Sequence, residues 1–584
     1  MAMRNTQRCR GVIAVWSILA ICLSLAGCPS QPTGVNKPAV RDAGSSGNDE
    51  TNPCDELLKS LFDVYRIEKF ETTFDLGICA NRMNDWYRGC GSALGGNKEP
   101  ALPEGAKKLF SGAQLALMSG EQFRTRDASH VRDCVLFQAI ARRVSQSPLR
   151  TGETDLDRAL ATFEHVVSAV QLQPKHSADL PFTAYEIYLL GRGTATDRAW
   201  LFVNALRAMR LDAVLLTAAD AEDPGLAGES VPFVVGVPMD GQIYLFDPAL
   251  GIPVPAKSSK PGRIEPATLA QAVADPTVLT QLDVGDRKYP LTSDRLKSPA
   301  VLLVGDLGYY SAQSQALQQV FIGDHAVVVS DPMEDVGDIP GLWSRLKKAG
   351  QGHWGQEAVR LWKYPQDQIA KSLTLNETQQ QIRKGLKLRF MAYLVVVPDP
   401  NNPGQFTLAG SKSTRDPALQ GMDAKDPEVG GFSRTETRST SGRQMEGRLS
   451  HIAGELPTAI KAYVEVQSNA PTILNIPQNP LKIDMGSGPI DIKLFHFLAI
   501  DDAVFWSAMC QLEQGQYGPA ASTFDRYLRQ AAKLSEWTRQ ARRMRAVALA
   551  AQDKFDEAAA TLEKVSEDDP EYAGYQAMIR NWKQ

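Results

Sequence analysis

The chain has 584 residues, of which 43% are hydrophobic and 22% charged, as is typical of a soluble globular protein. A chain of this length has room for three or four domains, each with its own core. The 63 basic and 67 acidic residues give a net charge of −4, so no excess of positive charge is available to attract nucleic acid. We therefore exclude nucleic acid as a partner.

The first 28 residues have the pattern of an export signal rather than of a folded domain. Three arginines within the first ten residues precede an uncharged apolar run from Gly11 to Gly27. The run ends in Leu25-Ala26-Gly27-Cys28, which resembles the lipobox of bacterial lipoproteins. The resemblance implies that residues 1–27 are a lipoprotein signal peptide and that Cys28 is acylated. An ordinary signal peptide or an uncleaved membrane helix is the alternative.

Residues 28–52 are rich in Pro, Gly, Ser and Asn and have no apolar periodicity, so we expect a flexible tether. Acyl chains on Cys28 would hold the protein at a membrane without spanning it. The protein is therefore expected in the cell envelope, lipid-anchored and facing the periplasm. Pro29 and Ser30, rather than an acidic residue, follow the cysteine, which favours the outer membrane.

The cysteines after the tether predict disulfide bonds. Of eight cysteines, four lie in one N-terminal segment, namely Cys54, Cys79, Cys90 and Cys134. In an exported protein clustered cysteines indicate disulfides, so we expect two bridges among these four, with the pairing left open. Free buried thiols are the alternative. The spacing of cysteines and histidines fits no zinc site, so no metal or other cofactor is expected.

Residues 53–150 are predicted to form a helical subdomain. Apolar side chains recur at helix spacing from Leu57 to Tyr65, and further helices are predicted at Val131–Val144 and Asp155–Leu172. His165 and His176 have no neighbouring metal ligands in the sequence. We interpret them as ordinary helix and loop residues.

The segment 151–260 carries a glycine turn, a helix and three strands. Thr194 and Asp197 have the spacing of a pair that caps a helix, and so predict a helix beginning near Thr194. A buried strand is predicted at Leu211–Thr217. Val231–Val237 and Gln242–Phe246 are predicted to form an antiparallel pair joined by a turn.

Residues 261–397 are predicted to be a mixed α/β segment. It contains a helix at Thr268–Val273 and short apolar runs at Val301–Val304, His325–Ser330 and Phe390–Val397. The following residues, 398–438, are polar, charged and rich in Gly, Pro and Ser. We expect them to be an exposed linker.

A repeated pattern predicts paired helices from 439 to 584. In each unit a large residue is followed by a small one three positions later and a large one after seven. The units are Leu456/Ala459/Tyr463, Tyr517/Ala520/Phe524 and Phe555/Ala558/Leu562. The pattern resembles the second helix of a tetratricopeptide repeat, where the small residue lets paired helices approach closely. The resemblance implies a concave helical surface that binds a protein or peptide partner.

The helix and the strand pair of the central segment carry a further pattern. The run from Gly193 to Ala199 fits Gly-x-Cys-x-x-x-Ala with Ala195 in place of the cysteine, and the strand pair ends in Asp247-Pro248. Together they resemble the core of the transglutaminase-like superfamily, a papain-like α+β fold. The resemblance implies a Cys–His–Asp triad. Its cysteine falls on Ala195, its histidine on Pro232 and its aspartate on Asp247.

This comparison leaves the triad without its nucleophile and its base. The chain has no cysteine between Cys134 and Cys510 and no histidine between His176 and His325, so no shift of the alignment restores them. In such a triad the thiolate attacks, the imidazole takes the proton and the carboxylate orients the ring. We therefore expect no catalysis by this domain.

Thr194, Thr196 and Asp247 are expected to have structural roles. A threonine hydroxyl needs an adjacent base to act as a nucleophile, whereas both threonines stand where helix caps are favoured. An Asp-Pro pair after an apolar strand is a common turn. The predicted fold class is α+β, with a helical N-terminal part, a transglutaminase-like core and a C-terminal α-helical repeat region.

The whole layout also resembles a group of planctomycete envelope proteins, through Leu189–Ala195, Leu245–Gly251 and Thr268–Gln271. Those proteins combine a transglutaminase-like segment with a repeat-like tail. We expect a non-catalytic, membrane-anchored lipoprotein that binds a protein or peptide through its C-terminal repeats. An envelope enzyme (transamidase or peptidase) with an unrecognised site and a purely structural envelope component are the alternatives.

Overall fold

The structure is a computed structural model. It describes residues 53–71, 74–91, 100–120, 122–148, 152–173, 180–226, 231–388, 394–398, 406–410, 440–474, 482–484, 489–531 and 535–584. The predicted signal peptide, Cys28, the tether and His176 lie outside the described residues, as do residues 411–438 of the predicted linker. All described residues belong to one unit of the chain.

Helices make up the N-terminal region. They are α1 (Pro53–Val64), α2 (Leu76–Gly89), α3 (Glu104–Lys107), α4 (Gly112–Met118), α5 (Thr125–Ser145) and α6 (Asp155–Ala169). Reciprocal caps define several helix starts. At α6 the Asp157 amide donates to the Thr154 hydroxyl at 3.2 Å, and that hydroxyl donates to the Asp157 carboxylate at 2.6 Å. The local sequence therefore sets where these helices begin.

One disulfide, rather than the expected two, joins the N-terminal cysteines. Cys54 in α1 is bonded to Cys90 at the end of α2. Cys79 and Cys134 are buried free thiols, so the expected second bridge is absent. Cys134 Sγ lies 3.6 Å from His130 Nε2, and burial raises the pKa of Cys79 to about 11. Both thiols are buried in the core.

The central region contains a capped helix and a hairpin. Its elements are β1 (Gln171–Leu172), α7 (Ala184–Leu190), β2 (Arg192–Gly193), α8 (Ala195–Ala208), β3 (Val214–Ala218), β4 (Phe233–Met239), β5 (Gln242–Asp247) and β6 (Ile252–Pro253). The predicted cap of α8 is confirmed, since the Asp197 amide donates to the Thr194 hydroxyl at 3.2 Å. The predicted hairpin is also confirmed. Asp240 and Gly241, both with positive φ, form its two-residue turn.

One sheet continues from the central region into the next segment. The elements that follow are α9 (Leu269–Ala274), α10 (Thr277–Thr280), α11 (Ser293–Leu296), β7 (Pro299–Leu303), α12 (Ala312–Gln318), α13 (Leu342–Ala349), β8 (Val359–Leu361), α14 (Tyr364–Leu373), α15 (Glu377–Leu388), β9 (Leu394–Pro398) and β10 (Phe406–Gly410). The strand order is β6-β5-β4-β3-β7-β8. The buried apolar strands β3 and β7 pair with Leu215 opposite Leu302. Strands β7 and β8 of the segment 261–397 therefore complete the central sheet.

Two further stretches are the apolar run His325–Ser330 and the predicted linker, part of which forms a strand. The apolar run His325–Ser330 joins no sheet, because the Gln318 side chain bonds its backbone at 2.9–3.2 Å. In the predicted linker 398–438, residues 406–410 form β10, which pairs antiparallel with β9. The apolar β9 has backbone groups that need a ladder partner, and β10 supplies it.

The C-terminal region is built from helices with one small hairpin. Its elements are α16 (Thr440–Ala453), α17 (Leu456–Leu474), β11 (Lys482–Asp484), β12 (Pro489–Asp491), α18 (Ile492–Glu513), α19 (Tyr517–Gln530), α20 (Thr538–Ala550), α21 (Phe555–Leu562) and α22 (Tyr572–Trp582). Successive helices pack as the pairs α16–α17, α18–α19 and α20–α21, followed by α22. The small residues Ala459, Ala520 and Ala558 are fully buried, as helix pairing requires.

The first helix of each pair packs against the central region. In α16, Arg448 donates to two carbonyls at the end of α7, at 2.6 and 3.1 Å. In α20, Gln540 donates to two carbonyls at the end of α6 at 2.9 Å, and Arg543 donates to the Gly251 carbonyl at 2.6 Å. The repeats are therefore folded back on the rest of the unit.

Gly191 lies where the turn after α7 meets the repeats. Its φ is 66°, in the left-handed region that favours glycine. A Cβ at this position would lie 2.6 Å from the Trp506 ring and 2.8 Å from the Trp537 ring. The turn thus requires glycine for its backbone and for its packing.

Gly191→Ala is expected to lower the free energy of unfolding by about 3 kcal/mol, because backbone strain and overpacking act together. Gly241→Ala is the matched control, since Gly241 has a φ of 73° but no atom within 4 Å of its Cβ position. It should cost only about 1 kcal/mol. Urea unfolding followed by circular dichroism measures both. Equal losses of unfolding free energy in the two variants would mean that Trp506 and Trp537 do not constrain the turn at Gly191.

Candidate functional site

The position that matches the family's nucleophile lies at the first turn of α8. Ala195 is half-buried there, next to the capping residue Thr194. The Tyr364 hydroxyl donates to Asp197 at 2.8 Å, and a Cβ on Gly225 would lie 2.5 Å from the Tyr364 ring. Tyr364 therefore packs beside the first turn of α8, while Thr194 itself remains exposed. Thr194 acts as the predicted cap rather than standing beside a base.

The other two triad positions lie at one end of the β4–β5 hairpin. Pro232 directly precedes β4, and its carbonyl accepts a hydrogen bond from the Thr217 hydroxyl at 2.8 Å. Asp247 is the last residue of β5. Arg198 in α8 donates to the Pro248 carbonyl at 3.1 Å, so the start of α8 meets this end of the hairpin. Of the three positions only Asp247 carries an ionisable group.

Asp247 is engaged in its own turn. Its carboxylate accepts hydrogen bonds from the amides of Ala249 and Leu250, at 2.8 and 2.9 Å, and from the Tyr289 hydroxyl at 2.7 Å. Burial raises the pKa of Asp247, although these three donors oppose the shift. The carboxylate is thus oriented by a turn and a tyrosine, which fits the structural role expected of an Asp-Pro pair.

A cleft of about 840 Å³ lies between the N-terminal helices and the repeats. We call it the repeat cleft. Residues of α5 and α6 form one wall, the ends of α18, α20 and α22 form the other, and the segment after β5 contributes as well. Its volume is within the range of about 300–1,000 Å³ that is common for ligand pockets. Ala195, Pro232 and Asp247 do not line it.

Most charged side chains of the repeat cleft are paired within the chain. Arg143 in α5 forms an ion pair with Glu513 at the end of α18, and His451 Nε2 lies 3.3 Å from the same carboxylate. Burial alone would raise the pKa of Glu513, but the charge of Arg143 holds it well below its ordinary value. Arg263 bonds Asp157 at 2.8 Å in the same way. These pairs link elements that are distant in sequence.

Glu164 in α6 is the exception. It lines the cleft half-buried and has no hydrogen bond or ion pair in the part of the chain that the structure describes. Burial raises the pKa of Glu164, and the charge of Arg543 opposes this shift. The Arg543 guanidinium itself is bonded to Glu571 and to the Gly251 carbonyl. The carboxylate therefore lies near a positive charge but receives no donor.

His165, which the sequence suggests is an ordinary helix residue, lies beside Glu164 in the cleft wall. Its Nε2 lies 2.7 Å from the Tyr188 hydroxyl. Burial, assisted by the charge of Arg143, lowers its pKa from 6.5 to about 3, so the ring is neutral near pH 7. No local motif could have identified these two residues, because the other wall is formed by residues more than 300 positions away.

The comparisons with known proteins identify part of the C-terminal region. The family model described as tetratricopeptide repeat matches residues 502–533, which cover most of α18 and all of α19. This match supports the predicted repeats, and tetratricopeptide repeats are protein-interaction modules. No curated protein and no solved structure gives a significant match to the chain.

Among the described residues, no helix has both the length and the apolar character needed to cross a bilayer. The same residues contain no group of three or more His, Cys, Asp and Glu side chains placed to hold a metal ion.

Stability is expected to fall as the pH decreases from 6.5 towards 3, because the unfolded chain takes up protons that the buried His165 does not. His165→Gln should reduce the dependence of the unfolding free energy on pH in this window by up to about 1.4 kcal/mol per pH unit. Urea unfolding at a series of pH values measures the slope. Tyr188→Phe keeps the buried ring and should keep the slope. An unchanged slope in His165→Gln would contradict the lowered pKa of His165.

Proposed function

We propose that this protein is a non-catalytic scaffold of the cell envelope that binds a protein or peptide partner. The observation that carries the proposal is the tetratricopeptide repeat at residues 502–533, a module that serves protein interaction. The first helices of the repeats are packed on the central region. In this proposal the partner enters the repeat cleft, where the repeats and the N-terminal helices separate.

The central region supports a non-catalytic role. Its capped helix α8 and its antiparallel strands β4 and β5 are compatible with the transglutaminase-like core that the sequence resembles. At the triad positions it has Ala195, Pro232 and an Asp247 that is bonded to its own turn. Because these positions carry no thiol and no imidazole, the triad has neither a nucleophile nor a base to activate it. In this proposal the domain is a support for the repeats.

The envelope location rests on the N-terminal sequence. The apolar run that ends in Leu25-Ala26-Gly27-Cys28 and the polar residues up to Asn52 favour a lipid anchor followed by a tether. The disulfide between Cys54 and Cys90 is in keeping with an exported protein. The protein would then present the repeat cleft to the periplasm.

Placing a photo-cross-linking phenylalanine analogue at Tyr517 tests partner binding in the native cells. Tyr517 is half-buried in the cleft wall, and Leu226, on the exposed surface, is the matched control position. One partner should be captured at 517 and not at 226, and the purified partner should bind the full chain saturably. Transamidase or peptidase activity of the full chain that disappears in Asp247→Ala would contradict the proposal.

Cys28→Ser is expected to abolish incorporation of an alkyne-labelled fatty acid and to prevent cleavage of the signal peptide. Cys22→Ser, within the apolar run, changes a thiol that is removed with the signal peptide and should leave the label in place. Gel fluorescence of the labelled protein and its intact mass measure both effects. Label that persists in Cys28→Ser would exclude this cysteine as the acylated residue.

A further inference from the structure

The repeat cleft combines apolar walls with one carboxylate that has no partner. Apolar side chains line both of its walls, among them Leu160 and Ala161 in α6 and Leu456 and Tyr517 in the repeats. These four are only partly buried, so apolar surface remains open to the cleft. Glu164 lies three residues after Ala161 in α6 and lines the same wall. A ligand that fits this cleft must cover apolar surface and meet the carboxylate.

The positively charged side chains of the cleft are bonded to groups other than Glu164. Within the described residues, Arg143, Arg263 and Arg543 each bond a carboxylate other than Glu164. Arg66 pairs with Glu68 at the exposed rim, at 3.2 Å. The remaining cation, Arg142, is exposed at the rim and donates to the Ala326 carbonyl at 3.2 Å. Among the described residues that line the cleft, Glu164 is therefore the carboxylate that no side chain of the chain bonds.

We propose that the repeat cleft binds an extended peptide segment of the partner, and that a lysine or arginine flanked by apolar residues pairs with Glu164. This inference rests on the proposed function and specifies its ligand. A volume of about 840 Å³ is far larger than one side chain needs, and both walls are apolar, so the basic residue must be part of a longer apolar segment. An ammonium or guanidinium group supplies the donors that the carboxylate lacks, and half-burial strengthens the pair relative to one in water.

The test uses two pools of acetylated and amidated heptapeptides with Leu, Val and Ala at the flanking positions. One pool has a central lysine and the other has norleucine, which keeps the aliphatic chain without the charge. Both are passed over the immobilised full chain, and the retained peptides are counted by mass spectrometry. The wild type should retain the lysine pool about tenfold more than the norleucine pool, as expected for one charged hydrogen-bonded pair.

Glu164→Gln should remove the preference for lysine while leaving retention of the norleucine pool unchanged. Glu222→Gln, in an exposed loop, is the matched control and should keep the preference. Ala161→Phe fills the apolar part of the cleft and should reduce retention of both pools. Circular dichroism confirms that each variant is folded. A lysine preference that survives in Glu164→Gln, or retention that is unaffected by Ala161→Phe, overturns the inference.

The same variants separate this inference from the proposed function. If a partner captured at position 517 binds Glu164→Gln and Ala161→Phe as tightly as it binds the wild type, the scaffold function stands and the cleft inference is overturned. If no partner is captured but the peptide pools behave as expected, the cleft inference is supported. The proposed protein scaffold then fails.

Discussion

A buried charge cluster holds the repeats against the central region. Near the start of α8, Arg198 donates to Glu571 at 2.9 Å, and Arg543 in α20 donates to the same carboxylate oxygen at 3.1 Å. Removing charges from water is costly, and their attraction offsets that cost only when further hydrogen bonds complete the site. Here Arg198 also donates to the carbonyls of Val170 and Pro248, at 2.7 and 3.1 Å. The cluster thus fixes α8, the hairpin end and the last helices in one arrangement.

This arrangement explains why α8 has a structural role. In a papain-like enzyme the start of this helix faces an open site where a thiol can be activated. In this protein Tyr364 bonds Asp197 in the first turn of the helix, and the neighbouring Gly191 turn is packed under Trp506 and Trp537. The helix therefore anchors the repeats to the sheet. The proposed binding surface lies at the open side of the same interface.

The repeat cleft is that open side, and its electrostatics follow from the packing. Where the two walls of the cleft are in contact, charged side chains of opposite elements form ion pairs, as Arg143 and Glu513 do. Glu164 lies near the Arg543 charge of the opposite wall but is bonded to no side chain of the described residues, so its carboxylate is unused. Binding capacity and rigidity therefore arise from one interface, since paired charges hold the walls and the unpaired charge remains for a ligand.

The sequence by itself determined the features that depend on neighbouring residues. Thr194 and Asp197 predict the start of α8, and the turn before Gln242 predicts the hairpin. Ala520 predicts close helix pairing in the repeat. Caps, turns and helix faces each involve residues that are only a few positions apart. The tertiary structure decided the rest. It paired β3 with β7 in one sheet, left Cys79 and Cys134 as separate buried thiols and placed Glu164 opposite the repeats. These outcomes depend on which distant surfaces pack together, and no local pattern encodes that choice.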